Sequence, residues 1–340
     1  MSRIKPKPTS FAGYFHDVIF IDAIPGSGKS LLGPIISSFQ NVERQTMGLY
    51  TIEHLLAANY LAICDPSLAQ QLIQQLVAFN HHNMFIGRNV NMKLSDISGP
   101  LSNPFRLRYF LRLFLGPKGT DEDINIINES NIAPLIKTHA CIYNISLLRT
   151  TFDSRLKFIE FVRHPLDTIE SWINAVNNNR HGIRGYSLRL DNSHLVYDYL
   201  DDLNTPDTSP LKQYNKLFSS LRNSLVPNSS DFLLLPFESF LCNSKVCIDA
   251  LTRFLRRQPI SYQLRRTLSL QNCDRYKYLY SAVDSINYRL HGGEPSFLIK
   301  SRENTLSNIV VNFPSEDVNT FIDHITWYTH FFNQFTFDKN

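Results

Sequence analysis

Three short segments carry residue types that could do chemistry together. The first is Ala23-Ile-Pro25-Gly26-Ser27-Gly28-Lys29-Ser30, which follows the apolar run Asp17-Val-Ile-Phe-Ile-Asp22. Glycines let a chain turn tightly enough for successive N–H groups to converge on one anion, while Lys29 supplies a point charge and Ser30 a hydroxyl. The spacing matches the Walker A pattern if Ala23 stands for its first glycine. The second segment, Phe158-Ile-Glu-Phe-Val-Arg163-His-Pro165, reads as an apolar strand tipped by a guanidinium, then a helix started by Pro165, with Ser171, eight residues after the Arg, adding a hydroxyl. Proline suits a first helical position, and the free N–H groups there favour an anion. The third, Ala133-Pro-Leu-Ile-Lys137-Thr-His139, puts Lys137 and His139 on one side of an extended chain. A neutral imidazole titrates near pH 7 and suits a general base, and Lys137 could neutralise charge on a transferred group.

The elements that must position these residues are visible as periodic patterns. Leu31, Leu32, Ile35, Ile36 and Phe39 give a helical apolar face behind the loop, although Pro34 implies a late start or a kink. Ile169, Trp172, Ile173 and Val176 have the spacing of a core-facing helix after Arg163. Residues 51–80 read as mostly helical, with Leu55, Leu56, Tyr60, Leu68, Leu72 and Leu76 on the apolar side. From about 81 to 131, Gly87, Pro100, Pro104, Gly116, Pro117 and Gly119 mark loops and short helices that could cover the site. Arg88, Lys93, Arg106, Arg108 and Arg112 there could grip an anionic or sugar acceptor, or form a solvated face. A second variable segment, about 177–210, is rich in Asn, Asp and Tyr and could form a lid. Residues 1–16, rich in Lys and Pro, read as a flexible tail, and 17–340 as a single domain.

Taken together, Pro25-Gly-Ser-Gly-Lys-Ser30, Ile136-Lys-Thr-His139 and Arg163 with Ser171 resemble, in that order, the P-loop sulfotransferase family. Asp231-Phe-Leu-Leu-Leu-Pro-Phe-Glu238-Ser-Phe-Leu, with the helical pattern up to Leu255, looks like that family's later strand, acidic turn and helix. The resemblance covers scattered blocks from Asp17 to Leu255. It implies a three-layer α/β sandwich with a mainly parallel central sheet. It also implies transfer of a sulfuryl group from 3′-phosphoadenosine 5′-phosphosulfate (PAPS) to an acceptor hydroxyl, by in-line attack. Carried over residue by residue, the catalytic groups are His139 as base, Lys137 and Lys29. Donor binding falls to Pro25, Gly26, Ser27, Gly28, Lys29, Ser30, Arg163 and Ser171, with Arg302 favoured over Arg265, Arg266 and Lys300 as the late basic residue. The chain departs from the pattern in two places. Gly26 stands where the family has a basic residue, with the charge moved to Lys29, and there is no late Arg-Lys-Gly.

Composition agrees with this reading and excludes others. The formal charge of +4 over 340 residues is too mild for nucleic acid as the ligand, yet welcomes an anionic donor. No apolar run approaches a bilayer span, and the N-terminus lacks the apolar core of a signal peptide, which leads to the expectation of a cytoplasmic chain without a membrane span. Cys64, Cys141, Cys242, Cys247 and Cys273 are odd in number, lack metal-ligand spacing and read as packing residues. His81-His82 reads as surface loop, and no metal requirement is expected. A carbohydrate or glycan precursor is favoured as acceptor over a small alcohol. Two other readings stay open: a P-loop small-molecule kinase using ATP and Mg²⁺, and a non-catalytic nucleotide-binding module. For Arg163 the structural alternative is a salt bridge to Asp167 or Glu170.

Overall fold

The computed structural model describes residues 17–24, 26–44, 50–88, 106–116, 121–139, 141–180, 189–190, 193–194, 209–224, 229–242, 244–265, 267 and 296–337. Its centre is five strands: β1 (Val18–Asp22), β2 (Val42–Arg44), β3 (Ala133–Lys137), β4 (Leu156–Val162) and β5 (Phe232–Pro236). They lie in the order β2-β3-β1-β4-β5, every neighbouring pair parallel. Ile21 is in register with Lys137, Asp22 with Glu160, and Val162 with Pro236. All residues of β1 and β4 are buried, because a parallel sheet is covered on both faces and its strands read as continuous apolar runs rather than alternating ones.

Side chains of β1 alternate between two cores. Val18 and Phe20 join one, Ile19 and Ile21 the other. The second face is closed by α1 (Lys29–Ile36), through Leu32, Ile35 and Ile36, and by a late helix, Ser244–Leu255, through Cys247, Ile248 and Leu251. The first face is larger. It takes α2 (Tyr50–Tyr60), α3 (Pro66–Phe85), α6 (Ile145–Phe152), α7 (Pro165–Arg180) and α8 (Pro210–Ser224), with α4 (Arg106–Leu115) and α5 (Asp121–Glu129) between α3 and β3. The helices Phe237–Cys242 and Ser244–Leu255 are α9 and α10, and Ser296–Asn312 and Ser315–Phe337 are α11 and α12. Phe20 sits between Phe152 and Phe158, ring centroids 5.7 and 6.4 Å away. Burial of each such ring contributes about 1.5–3 kcal/mol. The three-layer α/β sandwich with a parallel sheet is thus the observed architecture.

Local expectations fare unevenly. α7 starts at Pro165 and buries Ile169 and Trp172, whose indole N–H donates to the Pro210 carbonyl at 2.9 Å. α1 starts at Lys29 without delay and is instead short, ending two residues after Pro34, which can donate no backbone hydrogen bond. On α3 the buried face is Ala69, Ile73 and Val77, one position round from the expected leucines, and Leu68 is 51% exposed. His81-His82 is not surface loop: both lie on α3, and His81 is fully buried. Residues 1–16 and most of 177–210 lie outside the described residues. No described helix is long and apolar enough to cross a membrane.

Candidate active site

With every strand of the central sheet parallel, their carboxyl ends meet at one edge. The connections from β1 and β4 leave in opposite directions, to β2 and to β5, so a crevice opens between β1 and β4, the place where open α/β sheets bind ligands. The loop after β1 occupies that crevice. Gly26 and Gly28 have φ of 94° and 81°, a left-handed backbone that other residues adopt only under strain. A Cβ on Gly28 would also lie 2.5 Å from the Phe237 ring, so position 28 needs glycine on two counts. Gly28 caps α1 and hands the helix N-terminus to Lys29. The Lys29 side chain is buried, and among the described residues its ammonium has no hydrogen-bond partner. Burial pulls its pKa down, opposed by the charges of Asp22, Glu53 and Glu160. A buried ammonium without a partner is costly, and an anion on the loop would satisfy it.

Beneath the loop lies a pair of buried carboxyl groups. Asp22 on β1 faces Glu160 on β4 in register. Asp22 Oδ2 accepts from the N–H groups of Cys141 and Ile142 at 2.6 and 3.0 Å, fixing the turn after β3. Burial raises the proton affinity of both acids, that of Glu160 strongly, with Asp22 as a second cause there. The folded chain therefore keeps a proton on Glu160 at pH values where the unfolded chain, with a carboxyl pKa near 4.5, has lost it. Stability supplied by that proton is present below pH 4.5 and lost as pH rises toward the folded pKa. The limiting slope is about 1.4 kcal/mol per pH unit. Glu160→Gln is expected to flatten the decline and raise stability at neutral pH, read as urea midpoints against pH. Parallel curves for variant and wild type would refute it.

His139 follows β3 directly. The adjacent Thr138 N–H donates to the Ile21 carbonyl at 2.9 Å, holding the segment against β1. The imidazole is 40% exposed, and its Nδ1 lies 3.0 Å from Glu53 Oε1 on α2. The same carboxylate oxygen accepts the His139 backbone N–H, also at 3.0 Å. Lys137, half-buried, ends β3 beside Ile21. His139, Lys29 and Glu53 all act on the proton affinity of Asp22, which places them around one polar nest. Burial and neighbouring acids push the Cys141 thiol well up, so it stays protonated, in keeping with a packing role.

Arg163 stands at the tip of β4, on the other side of the loop. Its guanidinium is largely buried, donates to the Gly26 carbonyl at 3.5 Å, packs 5.0 Å over the Phe237 ring and pairs with Asp167 at 3.5 Å. Arg302, from α11, grips the same Asp167 through Nε and Nη2 at 2.9 and 2.8 Å. Both guanidinium groups hold the Asp167 carboxyl below its usual pKa, although burial acts the other way. Glu238 accepts from the His164 N–H at 3.0 Å and from the Tyr328 hydroxyl on α12; burial raises its pKa. His164 is pulled down to about 3 by burial and by Arg302, so it is neutral. Arg163 and Arg302 thus share the Asp167 carboxylate, and Arg302 also lies 3.8 Å from Glu238.

The structure brings Gly26, Ser27, Gly28, Lys29, Lys137, His139 and Arg163 to the strand ends, with Arg302 behind Arg163. Pro25 and the side chains of Ser30 and Ser171 lie outside the described residues. Sequence reasoning missed Glu53, Phe237, Tyr328 and the Asp22–Glu160 pair. Glu160 left a signal, a charged residue inside Phe158-Ile-Glu-Phe-Val, whereas Glu53 looks like any first-turn helix acid. Among the described residues no group of three or more His, Cys, Asp or Glu side chains could hold a metal ion.

No family model matches the sequence, and no curated protein does. Similar solved structures include the sulfotransferase domain of the olefin synthase from Synechococcus PCC 7002, at 14% identity, covering 88% of this chain and 96% of that one, with a TM-score of 0.40. The sulfotransferase domain of the curacin biosynthetic pathway is 15% identical over 91% of this chain and 97% of its own, with a TM-score of 0.41. Sulfotransferase STF1 from Mycobacterium tuberculosis H37Rv is 11% identical over 82% and 78%, with a TM-score of 0.36. At these scores the likeness assigns no residue a role.

Proposed function

We propose that the chain transfers a sulfuryl group from PAPS to an acceptor hydroxyl. The observation that carries this reading is the pairing of a glycine loop whose buried ammonium has no hydrogen-bond partner among the described residues with an adjacent strand that ends at Lys137 and is followed by His139. The loop N–H groups and Lys29 would hold the 5′-phosphosulfate, and Arg163, with Ser171 and Arg302, the 3′-phosphate. His139 takes the acceptor proton as the new oxygen–sulfur bond forms and the sulfur–oxygen bond to adenosine 3′,5′-bisphosphate breaks, the bisphosphate leaving with the electron pair. Lys137 and Lys29 offset charge on the sulfuryl and leaving oxygens, which suits a group less anionic than a γ-phosphoryl. A carbohydrate acceptor fits the polar composition of 177–210.

A kinase reading draws on a different observation, the Asp22–Glu160 pair below the loop, which could serve a Mg²⁺-bound ATP. Two features weigh against it: burial biases both acids toward their neutral forms, and Asp22 already accepts two backbone N–H groups. Calorimetric titration separates the two. Tight binding of adenosine 3′,5′-bisphosphate without metal is expected, with ATP and Mg²⁺ at least about tenfold weaker, or about 1.4 kcal/mol. The reverse preference would make the kinase reading the better one.

A further inference from the structure

We infer that Glu53 is the positioning residue for His139, fixing which imidazole nitrogen acts as the base. Glu53 is buried, and a buried carboxylate must be met by donors. Two contacts come from one residue: Oε1 accepts the backbone N–H of His139 at 3.0 Å and lies 3.0 Å from its ring Nδ1. A carboxylate only accepts, so of the two neutral tautomers it selects the one that carries its proton on Nδ1, which puts the basic lone pair on Nε2. The backbone contact matters as much as the ring contact, because it ties the carboxylate to the residue it orients and leaves little freedom between them.

Glu53 itself is held. Its neighbours on α2, Ile52 and Leu56, are fully buried, and the Asn144 side chain donates to the Leu56 carbonyl at 2.9 Å and to Asn59 Oδ1 at 3.2 Å. The turn that carries His139 is pinned on its other side by Thr138 to Ile21 and by Cys141 and Ile142 to Asp22. Base and orienting acid therefore hang on α2 and β3, two elements fixed to the same core. In turnover the acceptor oxygen gives its proton to Nε2 while it bonds to sulfur. The resulting imidazolium keeps its Nδ1–H on Glu53, whose negative charge stabilises it, and no proton passes to the carboxylate. This is the logic of a nucleophile–base–orienter triad with the substrate oxygen as nucleophile. The role in turnover rests on the sulfuryl-transfer reading; the tautomer does not.

The test uses the full chain with isotope-labelled histidine and reads the His139 tautomer by NMR in wild type, Glu53→Ala and Glu53→Gln. Wild type is expected to show Nδ1–H. Glu53→Ala should lose that tautomer, and Glu53→Gln should keep it, because the backbone N–H holds the amide oxygen in place. Hydrolysis of radiolabelled PAPS to free sulfate, with water as acceptor, gives the second readout. There kcat should fall about 100-fold in Glu53→Ala and about tenfold in Glu53→Gln, with KM for PAPS little changed. Unchanged Nδ1–H in Glu53→Ala, or an Nε2–H wild type, overturns the inference even if hydrolysis proceeds. The expected tautomers with no sulfate release in any protein would uphold the positioning and count against sulfuryl transfer instead. If Glu53→Ala does not fold, Glu53→Gln decides: loss of the Nδ1–H tautomer there overturns the positioning, and wild-type kcat there overturns the charge stabilisation of the imidazolium.

Discussion

His139→Ala is expected to lower sulfuryl transfer by about 10²–10⁴-fold, the usual worth of a positioned general base, with adenosine 3′,5′-bisphosphate binding unchanged. The split follows from the geometry. His139 stands at the end of β3 with its ring 40% exposed, whereas the loop that would hold the donor is built from β1 and α1. Removing the ring frees the Glu53 carboxylate from one donor but leaves the backbone N–H of residue 139 on the same oxygen, so the fold should lose little. The measurement is PAPS turnover with a panel of phenol, alcohol and sugar acceptors, alongside calorimetry of the bisphosphate. Full turnover in the variant would remove His139 from the chemistry. Loss of binding together with turnover would show that the residue supports the donor site rather than the proton transfer.

Arg163→Ala is expected to weaken bisphosphate binding by about 100-fold, close to 3 kcal/mol, within the range for removing a charged, largely buried hydrogen-bonding partner. Its effect on stability should be smaller. Asp167 keeps both of its hydrogen bonds to Arg302, so no carboxylate is stranded when Arg163 is lost. The change removes the contact over Phe237, the donation to Gly26 and the 3.5 Å pairing with Asp167, together about 1–3 kcal/mol. Arg163→Lys keeps the charge without the planar fork and should recover part of the binding. The two quantities are read separately, binding by calorimetry and stability by urea denaturation. An Arg163→Ala protein that binds the bisphosphate like wild type would make the residue a structural partner of Asp167, the bland alternative that its sequence neighbourhood also allows. Arg302→Ala removes the bidentate partner of Asp167 as well as a group placed at the 3′-phosphate, and should lower both stability and bisphosphate binding.

The sheet and its loop ends were legible because they depend on local signals. Asp17–Asp22 and Phe158–Val162 are apolar runs that only a doubly covered strand explains, the glycines at 26 and 28 announce a turn, and Pro165 marks a helix start. Helix faces were less legible. Residues 66–85 carry apolar side chains on more than one side, and only packing decided that Ala69, Ile73 and Val77 turn inward while Leu68 stays out. His81 shows the same limit, since an adjacent pair of histidines looks like surface until the helix that carries it is seen against the core.

By itself, then, the sequence determined the strand–loop–helix units and the residues at their tips, since each of these is written within a few consecutive positions. Tertiary structure alone decided the partnerships. Glu53 meets His139 across 86 positions, Asp22 meets Glu160 through strand register, and Arg302 reaches Asp167 across 135 positions. The physical reason is that a buried charge has no preferred partner along the chain. It takes the partner that the packing of helices on the sheet brings within hydrogen-bond reach, and no local pattern records that choice.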